Sequence, residues 1–402
     1  MEATKTNFGD NLRQYGIMIA LVVVIVAFAI GTQGRLIMPD NLWNLIQQNA
    51  YVLILAMGML MVIIAGHIDL SVGSVVAFIG AVVGWMMYTW NVPWVVAVLA
   101  GLLIGLLVGA WHGFWVAYVR IPAFVVTLAG MMIFRGLAQV IAARTMAGFP
   151  EGFNAIANGS IPNFLGFMNN PVSGAGAFSQ SFDTVTVVIG ILGVGGLVVS
   201  SMRSRRSQLQ HGLPVGSVGA MVLRLVLMSA AILVVTFILA MNLIGGTPIL
   251  LIIVGVLIFV YSFVTTRTVF GRHVYAIGGN RNAALLSGVN TARVDFGIFL
   301  NMGLLTAVAA IVTTSRAGAA VAAAGTGYEL DAIASCFIGG AAVTGGVGRV
   351  SGAMVGALIM GVLNMGLSIL NVDANWQMSI KGFVLLLAVT LDLVSKRRSS
   401  VG

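Results

Sequence analysis

Apolar residues in this chain come in long runs separated by short polar segments. Twelve runs can be placed, at 15–33, 43–65, 71–89, 94–118, 122–142, 184–202, 219–241, 247–264, 295–315, 331–348, 350–371 and 377–394. Most have the length, roughly 20 residues, that a helix needs to cross the hydrocarbon layer. The run 331–348 is the weakest, because Gly339-Gly340 and Gly345-Gly346 interrupt it. It is expected either to cross or to be broken, and irregular backbone at depth survives only where protein or a cavity shields it. Gly101, Gly105 and Gly109 fall four apart in the fourth run, and Gly352, Gly356 and Gly361 lie in the eleventh. That spacing permits close helix packing.

One short polar break stands out, Ala65-Gly66-His67-Ile68-Asp69-Leu70-Ser71-Val72-Gly73-Ser74, between two apolar runs. Ionisable groups at membrane depth are expensive and usually face a cavity or a partner. Glycines at 66 and 73 permit a tight turn or a close neighbour. Asp69 and Ser71 suit capping of the next helix. The same residues also suit a capped turn at the membrane surface. Residues 63–81 and 342–358 share an order of polar break, small residues and apolar run, and internal repeats are common in transporters.

Composition sharpens the class. The chain is 59% hydrophobic and 8% charged, against about 25% charged in a soluble domain. It reads as an all-α polytopic membrane protein of ten to twelve transmembrane helices. The longest polar stretches, 144–183 and 265–293, are short for independent folding, so residues 1–402 read as one transmembrane domain. The net charge of +9 follows loop positions, which points to orientation rather than to nucleic acid. With the N-terminus inside, fourteen Lys and Arg fall on the cytoplasmic side. Three fall outside (Arg35, Arg144, Arg316) and three within runs (Arg135, Arg224, Lys381). The bias predicts an N-in, C-in topology. Ala27-Phe28-Ala29 resembles a leader cleavage pattern, but no polar segment precedes it, so an uncleaved first helix is expected.

Two loops follow from this topology. Residues 146–183 form an external loop rich in Gly, Pro, Asn and Ser. Residues 265–294 form a basic cytoplasmic loop. Within the second, Asn280 is placed to cap a short helix running to Ser287, with Gly288 ending it. A short cytoplasmic helix suits docking to a partner through Gly278, Gly279, Asn280, Arg281, Ala283, Ala284, Ser287 and Gly288. Ala283, Ala284 and Leu286 are expected to present a small apolar surface, and Arg281 to be an exposed rim charge. A solvated basic loop that only sets topology is the other reading.

Chemistry that would make the chain an enzyme is missing. No G-x-x-x-x-G-K-[ST] phosphate loop occurs, no H-E-x-x-H or paired-cysteine zinc spacing, and no G-x-S-x-G elbow. The histidines at 67, 112, 211 and 273 are scattered, and His112 beside Trp111 reads as an ordinary buried histidine. The single cysteine, Cys336, excludes an internal disulfide and reads as an inert buried thiol. No cofactor or metal is expected on this chain. Carboxylates lie near run ends rather than at run centres, which argues against a proton-driven carrier. Arg135 is the clearest charge inside a run; it snorkels, pairs with a carboxylate, or lines a pathway.

Three segments carry a family resemblance. Gly66-His67-Ile68-Asp69-Leu70-Ser71-Val72-Gly73-Ser74 is similar to G-G-I-D-L-S-V-G-S. Pro122-Ala123-Phe124-Val125-Val126-Thr127-Leu128 through Arg135-Gly136-Leu137 is similar to P-x-F-I-x-T-L…R-G. Residues 271–293, with Gly278-Gly279-Asn280, Ala283-Ala284 and Ser287-Gly288-Val289, are similar to G-x-N-x-x-A-A-x-x-S-G-I. Together they resemble the permease subunits of bacterial ABC importers for monosaccharides of the ribose, xylose, arabinose and galactose type. His67 stands where the ribose-type pattern has glycine, and the chain is longer, with extra material around 183–241; the xylose-like or multiple-sugar members look closer.

The resemblance implies an ABC importer permease fold in the bacterial inner membrane. It implies two permease copies around one pathway, a cytoplasmic ABC ATPase carrying ATP and Mg, and a periplasmic sugar-binding protein. Gly66, His67, Asp69, Ser71, Gly73, Thr127 and Arg135 then become candidates for the pathway or its helix break, and residues 278–288 for ATPase coupling. A stand-alone secondary transporter or facilitator, and a membrane scaffold or receptor, are the competing classes.

Overall fold

A computed structural model describes residues 8–165, 183–212, 215, 217–240 and 246–399. Among these the chain is almost wholly helical: α1 (Phe8–Gly31), α2 (Pro39–Ile64), α3 (Val72–Tyr88), α4 (Trp94–Ala117), α5 (Ala123–Ile141), α6 (Glu151–Asn158), α7 (Thr184–Gln210), α8 (Val218–Ala240), α9 (Ile249–Arg267), α10 (Val269–Gly279), α11 (Arg281–Leu286), α12 (Thr291–Ala317), α13 (Tyr328–Ile338), α14 (Val350–Ile369) and α15 (Ala374–Ser399). Two-residue strands β1 (Met146–Ala147) and β2 (Ala319–Ala320) pair antiparallel. Prolines mark helix starts, where a missing N–H costs nothing: Pro39 opens α2, and Pro93 and Pro122 precede α4 and α5.

Eight of the described helices are long and apolar enough to cross a membrane: α2, α4, α5, α7, α8, α9, α12 and α14. Two shorter apolar helices, Gly16–Gly31 and α3, add to them. The expected run 331–348 departs from this pattern. Its helix, α13, has 11 residues, about 16 Å at 1.5 Å per residue, which is half a crossing. Gly340, Gly345 and Gly346 after it adopt φ of +86°, +81° and +74°, which only glycine takes without strain. The expected run 377–394 lies within α15. Of the loop 146–183 that the sequence is expected to place outside, residues 166–182 lie outside the described residues, while 151–158 form α6.

The chain divides into two compact units. The larger comprises residues 1–36, 45–158 and 250–402. Its centre is α2, where residues 54–64 are almost all fully buried, as expected of a helix that is apolar all round. The glycine spacing of α4 does what the sequence suggests. A Cβ on Gly105 would lie 2.5 Å from Gly303 O, and one on Gly109 would lie 2.5 Å from Phe299 O. The backbones of α4 and α12 therefore touch along several turns. On α14, Gly356 approaches Ser335 O of α13 in the same way.

The smaller unit comprises residues 37–44 and 159–249. It holds α7 and α8, packed where Gly190 faces Thr236. Asp183 caps α7 by accepting from Val185 N at 3.1 Å and from the Thr186 hydroxyl at 2.7 Å. Thr186 and Thr247 share a 2.8 Å hydrogen bond. These helices lie in the region, 183–241, where the sequence is expected to carry extra material.

Candidate functional site

The polar break begins where α2 stops. Gly66 takes φ +82°, and two bonds close the end: Gly66 N to Ile63 O at 2.9 Å and His67 N to Val62 O at 2.9 Å. This is a Schellman ending, which requires a left-handed residue where Gly66 stands. The chain then crosses in extended form to Ser71. Asp69 is buried, and its Oδ1 accepts from Ser71 N at 2.8 Å and from the Ser71 hydroxyl at 2.6 Å. Ser71 occupies the N-cap position of α3, but its side chain makes no cap bond there. The expected capping by Ser71 is thus corrected: its hydroxyl is consumed by Asp69, and the pair forms a local Asx turn instead.

Three neighbours hold this break. Thr127 on α5, fully buried, donates to Ile68 O at 3.3 Å. Gly73 admits a loop so closely that a Cβ there would lie 2.1 Å from Gly325 O. Asp295 on α12, with no exposed side chain, places Oδ1 3.1 Å from His67 Nε2 and accepts Arg281 on Oδ2. One carboxylate therefore joins the break to the segment 278–289. Burial of a carboxylate is costly unless charge-assisted bonds satisfy it, and both oxygens are satisfied here.

The segment 278–289 folds as its sequence suggests. Asn280 caps α11 by accepting from Ala283 N at 2.9 Å. Gly288 takes φ +85°, with Gly288 N bonded to Leu285 O and Val289 N to Ala284 O, a second Schellman ending. The expected display of side chains is corrected in one respect. Ala284 is buried against the chain, whereas Ala283, Leu285 and Leu286 are exposed, Leu286 by 89%. On a single helical turn, the side of α11 that faces the chain must take one residue, and Ala284 is it. Arg281 is likewise more than a rim charge, because its partner is the buried Asp295.

Backbone packing joins the same region from below. A Cβ on Gly278 would lie 1.6 Å from Ile64 O, and Gly346 N donates to that same Ile64 O at 2.8 Å. Tyr275 donates to Gly348 O at 2.6 Å; burial pushes its phenol pKa up, and the Arg349 charge opposes this. The end of α2, the end of α10 and the glycine turn at 345–346 thus form one close junction. Gly279 lies in it, since a Cβ on Gly346 would come within 2.9 Å of its backbone, whereas Ser287 is the exposed C-cap of α11.

Arg135 sits two turns from Thr127 along α5. Its Nη1 donates to Ala322 O at 2.9 Å and to Ala324 O at 2.7 Å. It holds the loop whose next residue, Gly325, rests on Gly73. Of the three sequence readings for Arg135, none named backbone carbonyls, which is where the guanidinium goes. His112 is buried beside Phe134 and Gly130. Among the described residues no three His, Cys, Asp or Glu converge on a metal-sized site. Cys336 is buried, with Sγ 3.4 Å from Ala56 O.

Sequence reasoning did not single out Asp295, nor a second buried group. There Tyr51 donates to Asp331 Oδ2 at 2.6 Å, Lys381 Nζ lies 3.1 Å from the same carboxylate, and Asn364 reaches Asp331 at 3.4 Å. The signal available was the scarcity of charge: each Asp or Lys in an apolar run needs a partner.

A polytopic helical protein with a charged helix break and a capped loop helix has the makings of a transport subunit. The chain belongs to the family described as branched-chain amino acid transport system / permease component, which matches residues 41–389. It is 38% identical over 388 residues to the xylose transport system permease protein XylH of Haemophilus influenzae, covering 96% of this chain and 98% of that one. It is also 38% identical to XylH of Escherichia coli, over 97% of this chain and 94% of the relative. It is 32% identical to the ribose import permease protein RbsC of Bacillus subtilis, over 97% and 96%. These relatives are named as permeases rather than enzymes, in line with the expectation for this chain. No solved structure matches it.

Proposed function

We propose that this chain is the transmembrane permease of an ATP-driven ABC importer for a monosaccharide, xylose-like or of several sugars. Two copies form the pathway in the bacterial inner membrane. An ABC ATPase, holding ATP and Mg, docks on the cytoplasmic side, and a periplasmic sugar-binding protein delivers cargo outside. The near-complete alignment with xylose permeases is the observation that carries this reading. The exposed Leu285 and Leu286 beside the Arg281–Asp295–His67 link, centred on the buried Asp295, support the ATPase docking at 278–289.

The reading includes an N-in, C-in topology of about twelve spans, resting on the distribution of Lys and Arg. In a Cys336→Ser background, cysteines introduced at Ser160 and Ser204 test it. Impermeant reagent on intact cells is expected to label position 160 and spare 204, and the reverse pattern overturns the orientation. The function is tested in proteoliposomes holding the permease with its ATPase and binding protein. ATP-dependent D-xylose uptake is expected. Equal uptake by the permease alone without ATP would make it a facilitator.

A further inference from the structure

A cavity of about 330 Å³ opens between α2, the end of α12 and the start of α13. Its lining is unlike the rest of this apolar chain. Gln47, Gln48, Tyr51, Thr313, Arg316 and Tyr328 supply six of its eight lining residues. Polar groups placed among membrane helices are costly and are kept where they face a solute path or each other. The cavity also lies where helical structure is interrupted. Tyr328 is the first residue of the half-crossing helix α13, after Gly327 at φ +79°. Broken helices at depth need a protein or cavity lining, and solute sites in transporters gather at such starts.

The chemistry of the lining selects a ligand class. No carboxylate lines the cavity, so a cation finds no counter-charge. Amides, hydroxyls and a guanidinium provide both donors and acceptors, which suits a neutral polyhydroxylated molecule. The rings of Tyr51 and Tyr328 stack at 3.5 Å and 13°, giving one rigid apolar wall for a C–H face. The wall is fixed from behind by Tyr51 donating to Asp331 at 2.6 Å. Gln47 is fixed by its bond to Ala157 O at 2.9 Å, and Arg316 by its bond to Asn158 Oδ1 at 3.1 Å. The volume lies at the small end of ligand sites, about 300–1,000 Å³, as a single sugar ring requires.

We propose that this cavity is a resting site for a monosaccharide on the permease itself, independent of any binding protein. The proposal rests on the importer reading above. The test uses the complete complex in proteoliposomes, with a diazirine-bearing D-xyloside as photoprobe and radiolabelled D-xylose for uptake. Probe is expected on the peptides holding Gln48 or Tyr328, competed by D-xylose. Gln48→Trp, which fills the cavity, is expected to cut both labelling and uptake at least tenfold at normal amounts of assembled complex. Thr313→Val and Gln48→Ala, milder changes, are expected to lower labelling severalfold and to alter the ranking of competing pentoses. Labelling that D-xylose does not compete, or variants with wild-type labelling and ranking, overturn the site. So does a phospholipid that co-purifies with the wild type and is lost in Gln48→Trp while sugar ranking stays fixed. Absence of uptake by the wild-type complex would instead overturn the importer reading, and the site with it.

Discussion

The two helix breaks of the larger unit, at residues 65–71 and 339–349, are held in different ways. The first adds side chains to its glycine turn at Gly66: the Asp69–Ser71 turn, Thr127 on Ile68 O, and His67 on Asp295. The second is built from backbone: glycines with positive φ at 340, 345 and 346, and Gly346 N on Ile64 O. They meet at the end of α2. A break made of side chains can be tuned one group at a time and answers to charge. A break made of glycine backbone answers mainly to volume, because any Cβ intrudes on a neighbour.

That contrast orders the expected effects. Gly278→Leu, which drives a side chain into Ile64 O where the breaks meet, is expected to cost over about 3 kcal/mol, the upper end for overpacking. A thermal unfolding assay in detergent measures it, and a normally stable variant would remove the junction from the account. Asp295→Asn keeps volume and removes the shared charge. Breaking a buried pair costs about 3–5 kcal/mol, and the half-exposed Arg281 reduces this to about 2 kcal/mol. Uptake is expected to fall about tenfold with insertion intact, and Arg281→Gln to follow in the same direction. Wild-type uptake in both would make the link ornamental.

Asp69→Asn keeps an oxygen for Ser71 and loses charge assistance. A loss of about 1 kcal/mol is expected from the hydrogen bonds, seen as reduced uptake at normal membrane levels; full uptake would show the charge to be dispensable. The smallest effect on stability is expected from Leu286→Ser on the exposed side of α11. Unfolding should be unchanged while ATPase co-purification weakens. Equal pull-down by the variant and the wild type would return 278–289 to a topological role.

Much of this was legible in the sequence because its causes are local. Asn280 and Gly288 set the ends of α11 through a side-chain cap and a left-handed φ, both short-range effects. The four-residue glycine spacing of α4 reports packing directly. The position of Ala284 was not legible, since which side of a one-turn helix faces inward depends on what lies beneath it. The Asp295 bridge spans 228 residues to His67, and no local pattern announces such a pair. The shortness of α13 was half legible: the glycines marked the interruption, but the start at Tyr328 depends on a loop held by Arg135.

The glycine seam between α4 and α12 has a mechanical consequence. Backbones that meet at Gly105–Gly303 and Gly109–Phe299 leave no side-chain cushion between the helices, so the pair is expected to move as one stiff beam. In the proposed importer, the moving parts are expected to lie elsewhere than in this beam. The same constraint covers α13, because a Cβ on Gly356 of α14 would lie 2.0 Å from Ser335 O and one on Gly339 would lie 2.4 Å from Gly352 O. The pairs α4 with α12 and α13 with α14 are then two stiff units, each expected to move as one body.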